Sequence, residues 1–219
     1  MSGGNGTTLI VIAKEPVPGR CKTRLTPPLT PAQAAELAEQ ALADTLAVVA
    51  ATPASRRLLC LEGRPGAWLP PGFDVVAQGG GGLDMRLAGA FEAAGGRALL
   101  VGMDTPQLTA QLLEPAARSL ARDDVDAVLG PALDGGYWAI GLRRPCPEVF
   151  AGIPMSTGQT GEAQRRRLTE LGLRCRELEP LRDVDTIDDA RAVAAAAPRS
   201  RFAASLGRMG AAGGSRDGV

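Results

Sequence analysis

The chain has 219 residues, with 24 basic and 24 acidic side chains and no histidine. That length suits one domain with a full hydrophobic core, and a zero formal charge argues against a surface built for nucleic acid or anionic lipid, where a basic excess is expected. Without histidine there are no His-based triads, His metal sites or His general bases, so any metal must rest on carboxylates, a ligation that suits magnesium or manganese.

No apolar run reaches the roughly 20 residues that span a bilayer. The Gly- and Ser-rich start, Met1 to Thr8, does not read as a secretory signal. A cytoplasmic protein with no membrane insertion is expected. Cys21, Cys60, Cys146 and Cys175 are scattered without a CxxC pair and read as free thiols. Of the 24 basic residues only Lys14 and Lys22 are lysines, and they are close neighbours. A compact ammonium at two adjacent places suits a phosphate ligand.

In chain order, Thr7 to Ala13 is a short β-branched run, read as a buried strand. After a Pro- and Gly-marked loop, Thr30, Pro31 and Gln33 announce a helix to about Ala50 through a capping box. Arg57 to Leu61 and Phe73 to Ala77 read as strands, Leu83 to Ala94 as a helix, and Ala98 to Gly102 as a strand. Thr109 should cap a helix to about Ala121, followed by strands at Asp126 to Gly130 and Tyr137 to Leu142. Gly161 to Leu171 reads as a helix, Leu173 to Leu178 as a strand, and Thr186 as the cap of a last helix to Ala197. This alternation predicts an α/β domain with a mostly parallel sheet covered on both faces, interrupted by a hairpin near Pro131. The expected organisation is a flexible 1–6, one domain over 7–198, and a disordered Gly-, Ala- and Arg-rich tail over 199–219.

Ligands of open α/β sheets sit outside the carboxyl ends of the strands, so the polar residues that follow predicted strands matter most. KEPVPGRCKTRL, Lys14 to Leu25, crowds Lys14, Arg20, Lys22 and Arg24 into one loop, with Gly19 freeing the backbone. Such a cluster suits a phosphate chain, although Cys21 and the spacing rule out a P-loop. Asp104 follows a buried strand almost at once. As a metal ligand Asp104 needs a second carboxylate, which Asp183 and Asp185 of RDVDTIDDA offer because they alternate and face one side in extended chain, or else that segment merely starts a helix. Asp134-Gly135-Gly136 is a hairpin signal, but with Tyr137 and Trp138 it also suits a sugar or acceptor pocket. Gln78 to Arg86 carries four glycines that either approach a nucleotide or form a plain loop.

Taken in order, KEPVPGRCKTRL, GMDTPQL, LGPALDGGYWAIGL and DVDTIDDA resemble the bacterial "transferase 1" family, glycosyltransferases of the nucleotide-diphospho-sugar transferase superfamily, over residues 8 to 197. The first and last motifs are more distantly similar to 2-phospholactate guanylyltransferase. The resemblance implies a single-domain glycosyltransferase-A fold with a Rossmann-like mixed sheet. It implies a nucleotide or nucleotide-sugar donor, a small-molecule acceptor, and Mg²⁺ or Mn²⁺ on Asp104 and Asp185. Phosphate and nucleotide contacts fall to Lys14, Gly19, Arg20, Lys22, Arg24, Gln78 and Arg86, with Lys22, Arg24, Asp104 and Asp134 carrying the chemistry. Acceptor contacts fall to Asp134, Gly135, Gly136, Tyr137, Ser156 and Thr157. Two departures bear on donor or acceptor choice: Gly82-Leu83-Asp84 stands where the family has Asp-Leu-Gly, and Met155 stands where an aromatic precedes Ser-Thr. Glycosyl transfer, nucleotidyl transfer with pyrophosphate release, and non-catalytic nucleotide binding all stay open, as does a homodimer.

Overall fold

The computed structural model describes residues 6–213. Seven strands form one sheet: β1 (Thr8–Lys14), β2 (Arg56–Glu62), β3 (Asp74–Ala77), β4 (Ala98–Val101), β5 (Ala127–Pro131), β6 (Tyr137–Leu142) and β7 (Cys175–Glu177). Their order is β3-β2-β1-β4-β6-β5-β7. β6 pairs antiparallel with both β4 and β5, and every other pairing is parallel. The chain winds outward from β1 to one side through β2 and β3, then returns to its other side with β4. A switch point between β1 and β4 results, where the loops leaving the two strands diverge and open a crevice. Because β6 runs backwards, its first residues, Tyr137 and Trp138, lie at the same sheet edge as the ends of β1 and β4.

Helices α1 (Pro31–Ala51) and α3 (Ala110–Ser119) cover one face of the sheet, where Leu9, Val11 and Ala13 of β1 meet Leu42, Leu46 and Leu113. Helices α2 (Leu83–Ala94) and α4 (Thr160–Glu170) cover the other, where Ile10 meets Leu87, Phe91 and Leu168. The alternation within β1 is what feeds both cores at once. The predicted capping box at Thr30 and Gln33 is present. Thr109 precedes α3 but makes no side-chain cap, and α3 stops at Ser119 rather than near Ala121.

The expected disorder after residue 198 is corrected. Behind α5 (Ile187–Ala196), the chain forms α6 (Arg201–Gly213), so α5 is not the last helix. Phe202 and Met209 lie one to two turns apart on one face of α6 and join Leu37, Ala41, Ala190 and Val193 in a third core on the far side of α1. Asp44 on α1 caps the start of α6, its carboxylate accepting from the amides of Arg201 at 3.2 Å and Phe202 at 2.9 Å. Ser205, fully buried, donates to Glu36 at 2.8 Å. The domain therefore extends past residue 198. Apart from Gly6, the expected flexible start lies outside the described residues, as does the tail from 214 to 219. Removing the 1 % exposed Phe202 ring should cost about 3–5 kcal/mol. Phe202→Ala should therefore lower the thermal midpoint sharply, and an unchanged midpoint would show α6 to be loosely attached. Among the described residues no helix is long and apolar enough to cross a membrane.

Candidate active site

A cleft of about 700 Å³ opens at the carboxyl edge of β1 and β4. It gathers residues that are far apart in the chain: Lys14, Arg20, Lys22 and Arg24 from the loop after β1, Gln78 and Arg86 from the β3–α2 segment, Asp104 after β4, and Asp183 and Asp185 after β7. From the far wall come Asp134, Gly136, Tyr137, Ser156 and Thr157. Gly19 (φ 74°) and Gly135 do not line it.

Lys22 is the hub. Its side chain is 10 % exposed and its backbone left-handed (φ 47°). The ammonium donates to the carbonyl of Val184, lies 2.9 Å from Asp104 Oδ2 and 3.4 Å from Asp185 Oδ1. Arg24 Nη1 meets Asp185 Oδ2 at 3.0 Å. The two segments are also sewn together by backbone, since Val184 N–H donates to the Asp104 carbonyl at 3.1 Å. Burial presses the Lys22 pKa down, but Asp104, Asp185 and Asp183 outweigh it and hold the ammonium above its ordinary value.

Asp183, offered with Asp185 as the carboxylate partner of Asp104, lies inside the cleft. Burial, then the carboxylates of Asp104 and Asp134, push its pKa up to about 7. Asp104 Oδ1 and Asp183 Oδ1 are buried without a hydrogen-bond partner. Orphaned carboxylate oxygens are hard donors of the kind Mg²⁺ or Mn²⁺ prefers. No group of three His, Cys, Asp or Glu among the described residues is set to hold a metal alone. Two carboxylates still fit an ion that completes its shell with substrate phosphate and water.

Glu62, at the end of β2, escaped the sequence reading altogether. It pairs with both Lys14 (3.4 Å) and Arg86 (2.6 Å), and so fixes two of the cleft's cations. A carboxylate at a strand's last residue carries no motif of its own, and only the parallel β1–β2 register sets Glu62 against Lys14. Gln78 Nε2 donates to the carbonyls of Ala13 (2.7 Å) and Cys60 (3.0 Å), which anchors the β3–α2 segment to the ends of β1 and β2.

On the acceptor side, Asp134 Oδ1 accepts from Gly136 N–H at 2.8 Å. Gly135 has φ 89°, and a Cβ there would lie 2.1 Å from the Gly158 carbonyl. Its place is a tight junction between the β5–β6 turn and the 155–158 loop, which Gly161 N–H secures by donating to the Gly135 carbonyl at 2.8 Å. Gly135→Ala should cost about 1–3 kcal/mol through backbone strain alone and push the loop outward, which thermal denaturation and proteolysis of that loop would register. Tyr137 lines the cleft and reaches Gln164 Oε1 at 3.3 Å. Trp138, offered above as pocket or core, is both: it lines the cleft, yet it is 2 % exposed and its indole N–H donates to the Glu179 carbonyl at 3.0 Å. Met155 and Ser156 (φ 59°) also line the cleft.

The sequence profile of a family described as "Uncharacterized protein conserved in bacteria (DUF2064)" matches residues 34–157. No curated protein matches the chain. Among solved structures, a candidate nucleotide-diphospho-sugar transferase from Desulfovibrio desulfuricans G20 is similar at 29 % identity and a TM-score of 0.83, covering 94 % of this chain and 95 % of that one. CMP:2-keto-3-deoxy-manno-octonic acid synthetase complexed with CTP shares the fold at 11 % identity and a TM-score of 0.55, over 86 % and 97 % of the two chains. The Mycobacterium tuberculosis H37Rv protein Rv0371c, in complex with manganese, does so at 21 % identity and a TM-score of 0.50, over 86 % and 97 %. The glycosyltransferase-A architecture inferred from the motifs is the fold of the chain.

Proposed function

Because the chain belongs to the DUF2064 family, and its fold is that of nucleotide-diphospho-sugar transferases, we propose that it is a transferase that binds a nucleotide-sugar donor in the β1–β4 cleft and passes the sugar to a small hydroxyl acceptor. The carrying observation is the convergence of Lys22, Arg24, Asp104 and the Asp183–Asp185 segment on one sheet edge, from places about 80 residues apart along the chain. The likeness to the Desulfovibrio protein, through nearly the whole of both chains, supports the donor class. The resemblance of the motifs to the "transferase 1" family supports the sugar.

In this reading the donor's base rests against the apolar wall of Ile12, Leu87 and Leu100. Its phosphates face Arg20, Arg24 and the Lys22 hub. Charge builds on the leaving phosphate during transfer, and fixed cations beside it lower the barrier because they need no reorganisation. A divalent ion held by Asp104 and the Asp183–Asp185 segment would supply further neutralisation of that charge. Asp134, with one oxygen tied to its own turn, offers the other to the acceptor hydroxyl as orienter or base.

A second reading, nucleotidyl transfer from a nucleoside triphosphate, is favoured by one feature: five cations, Lys14, Arg20, Lys22, Arg24 and Arg86, line the cleft, as a triphosphate would require. The products separate the two. Incubation with nucleotide sugars and nucleoside triphosphates, Mg²⁺ or Mn²⁺ and a panel of hydroxyl and phosphate acceptors should release a nucleoside diphosphate under the first reading and pyrophosphate under the second. A ligand that binds the folded state must also raise its melting temperature. If no nucleotide or nucleotide sugar does so with either metal, both readings fail.

A further inference from the structure

The cleft is divided by charge. Its cations stand at the β1–β2 end or reach out from it. Lys14 and Arg86 are held by Glu62 at the end of β2, and Arg20 and Arg24 lie in the loop after β1. Lys22 extends as far as Asp104 and Asp185, which already match it. The opposite end is built by the 134–137 turn into β6 and by the 155–160 loop. Two strand spacings, about 10 Å, separate β6 from β1. Among the described residues that line this end there is no lysine or arginine, and one carboxylate, Asp134.

Tyr137 lines this end in a fixed hydrogen-bonding sense. Behind it lies Gln164 of α4, 0 % exposed and not itself part of the cleft wall. Gln164 Nε2 donates to the Val149 carbonyl at 2.8 Å. A carbonyl only accepts, so the amide nitrogen must face Val149 and Oε1 must face Tyr137, 3.3 Å from its hydroxyl. The single proton of the phenol is therefore spent on Gln164. Its oxygen has only lone pairs left to offer, and Met155 Sδ, 3.9 Å away, has no proton to give them. Burial raises the Tyr137 pKa, so the group stays a neutral phenol. A leucine at 164 would fill the core with no polar group to satisfy. What the amide adds is the direction of that proton. We propose that Gln164 positions Tyr137 to take a hydrogen bond from a hydroxyl of the acceptor substrate, and that this substrate is an uncharged sugar or polyol. A phosphate or carboxylate there would meet lone pairs and Asp134 with no cation to balance it. The proposal deepens the transferase reading and rests on it for the role of the bound compound, but its test reads binding.

The probes are glycerol, glucose and mannose, each beside its phosphorylated counterpart: glycerol 3-phosphate, glucose 6-phosphate and mannose 6-phosphate. Saturation-transfer NMR titrations follow their binding to the whole protein, with Mn²⁺ and pyrophosphate present to occupy the cationic end. At least one uncharged probe should bind at least tenfold more tightly than its phosphorylated counterpart. Tyr137→Phe should weaken that binding at least fivefold. Gln164→Leu, which frees the phenol proton to turn into the cleft, should weaken it by a similar factor. Melting separates reading from packing. Tyr137→Phe leaves Gln164 Oε1 buried without a partner and should melt below wild type. The double variant Tyr137→Phe/Gln164→Leu should recover the melting temperature but not the binding. Binding that recovers with it overturns the proposal. So does a Tyr137→Phe variant that binds as wild type does, a phosphorylated probe that binds as tightly as its uncharged counterpart, or a wild type that takes up no uncharged probe. An uncharged probe bound through Tyr137 with no donor consumed would remove the transferase reading and leave the Tyr137 site standing. Transfer onto a phosphorylated acceptor would do the reverse.

Discussion

Asp104→Ala should reduce donor turnover by about 10²–10³-fold, a loss of the size that follows when one preorganised electrostatic contact is removed, because Asp104 orients Lys22 and would hold the divalent ion. The residue stands directly after β4 at the switch point, and its two oxygens face different duties: one grips Lys22, the other is buried without a partner. Its backbone carbonyl, which accepts from Val184 N–H, is untouched by the substitution, so the junction between the β4 and β7 loops persists. Lys22 keeps Asp185 and the Val184 carbonyl as partners. The variant is therefore expected to fold, with a normal circular dichroism spectrum and a modest change in melting temperature. Release of nucleoside diphosphate or pyrophosphate, whichever the wild type produces, measures the effect. Turnover within threefold of wild type would take Asp104 out of the chemistry.

Lys22→Met should do damage of a different kind. Removing one partner from a buried pair leaves uncompensated charge behind, at a cost of about 3–5 kcal/mol. Asp104 and Asp185 are each 36 % exposed, so solvent relieves part of this and the lower end, about 3 kcal/mol, is expected. Three carboxylates, Asp104, Asp183 and Asp185, would then share a wall of the cleft with no ammonium among them. Turnover should fall together with stability, in contrast to Asp104→Ala, where it falls nearly alone. Lys22→Arg should rescue neither fully. A planar guanidinium cannot place one charge against a carbonyl and two carboxylates in a pocket shaped for a compact ammonium. Chemical denaturation alongside the turnover assay checks both statements, and wild-type stability in Lys22→Met would show the hub to be dispensable.

These expectations separate two kinds of residue that look alike in a sequence. Asp183 and Asp185 are two positions apart, carry the same group and line the same cleft. Their difference lies in what stands opposite them, and that is contributed by Lys22, 163 positions from Asp185. Likewise Gly135 sits in a motif that reads as an acceptor loop, yet it is a steric contact with Gly158 that requires glycine there.

By itself the sequence determined the elements and their alternation, because periodicity, capping and strand composition act within a few residues. The capping box at Thr30, the cap at Thr186, the β-branched run of β1, and the placing of Lys14 to Arg24, Asp104 and Asp134 just beyond strands or at a turn were all legible from neighbours alone. What the tertiary structure decided was everything that depends on partners distant in the chain. Trp138 can be buried because the remote Glu179 carbonyl accepts its indole N–H. Glu62 came to pair with the cleft's Lys14 because β1 and β2 pair in parallel register. A Gly- and Ala-rich terminus became α6 because Asp44 and Glu36 of α1 reach across to its backbone and to Ser205, and because Phe202 finds a third core that no local pattern describes. Local propensity fixes segments at short range, but burial and charge pairing are settled only where remote segments meet.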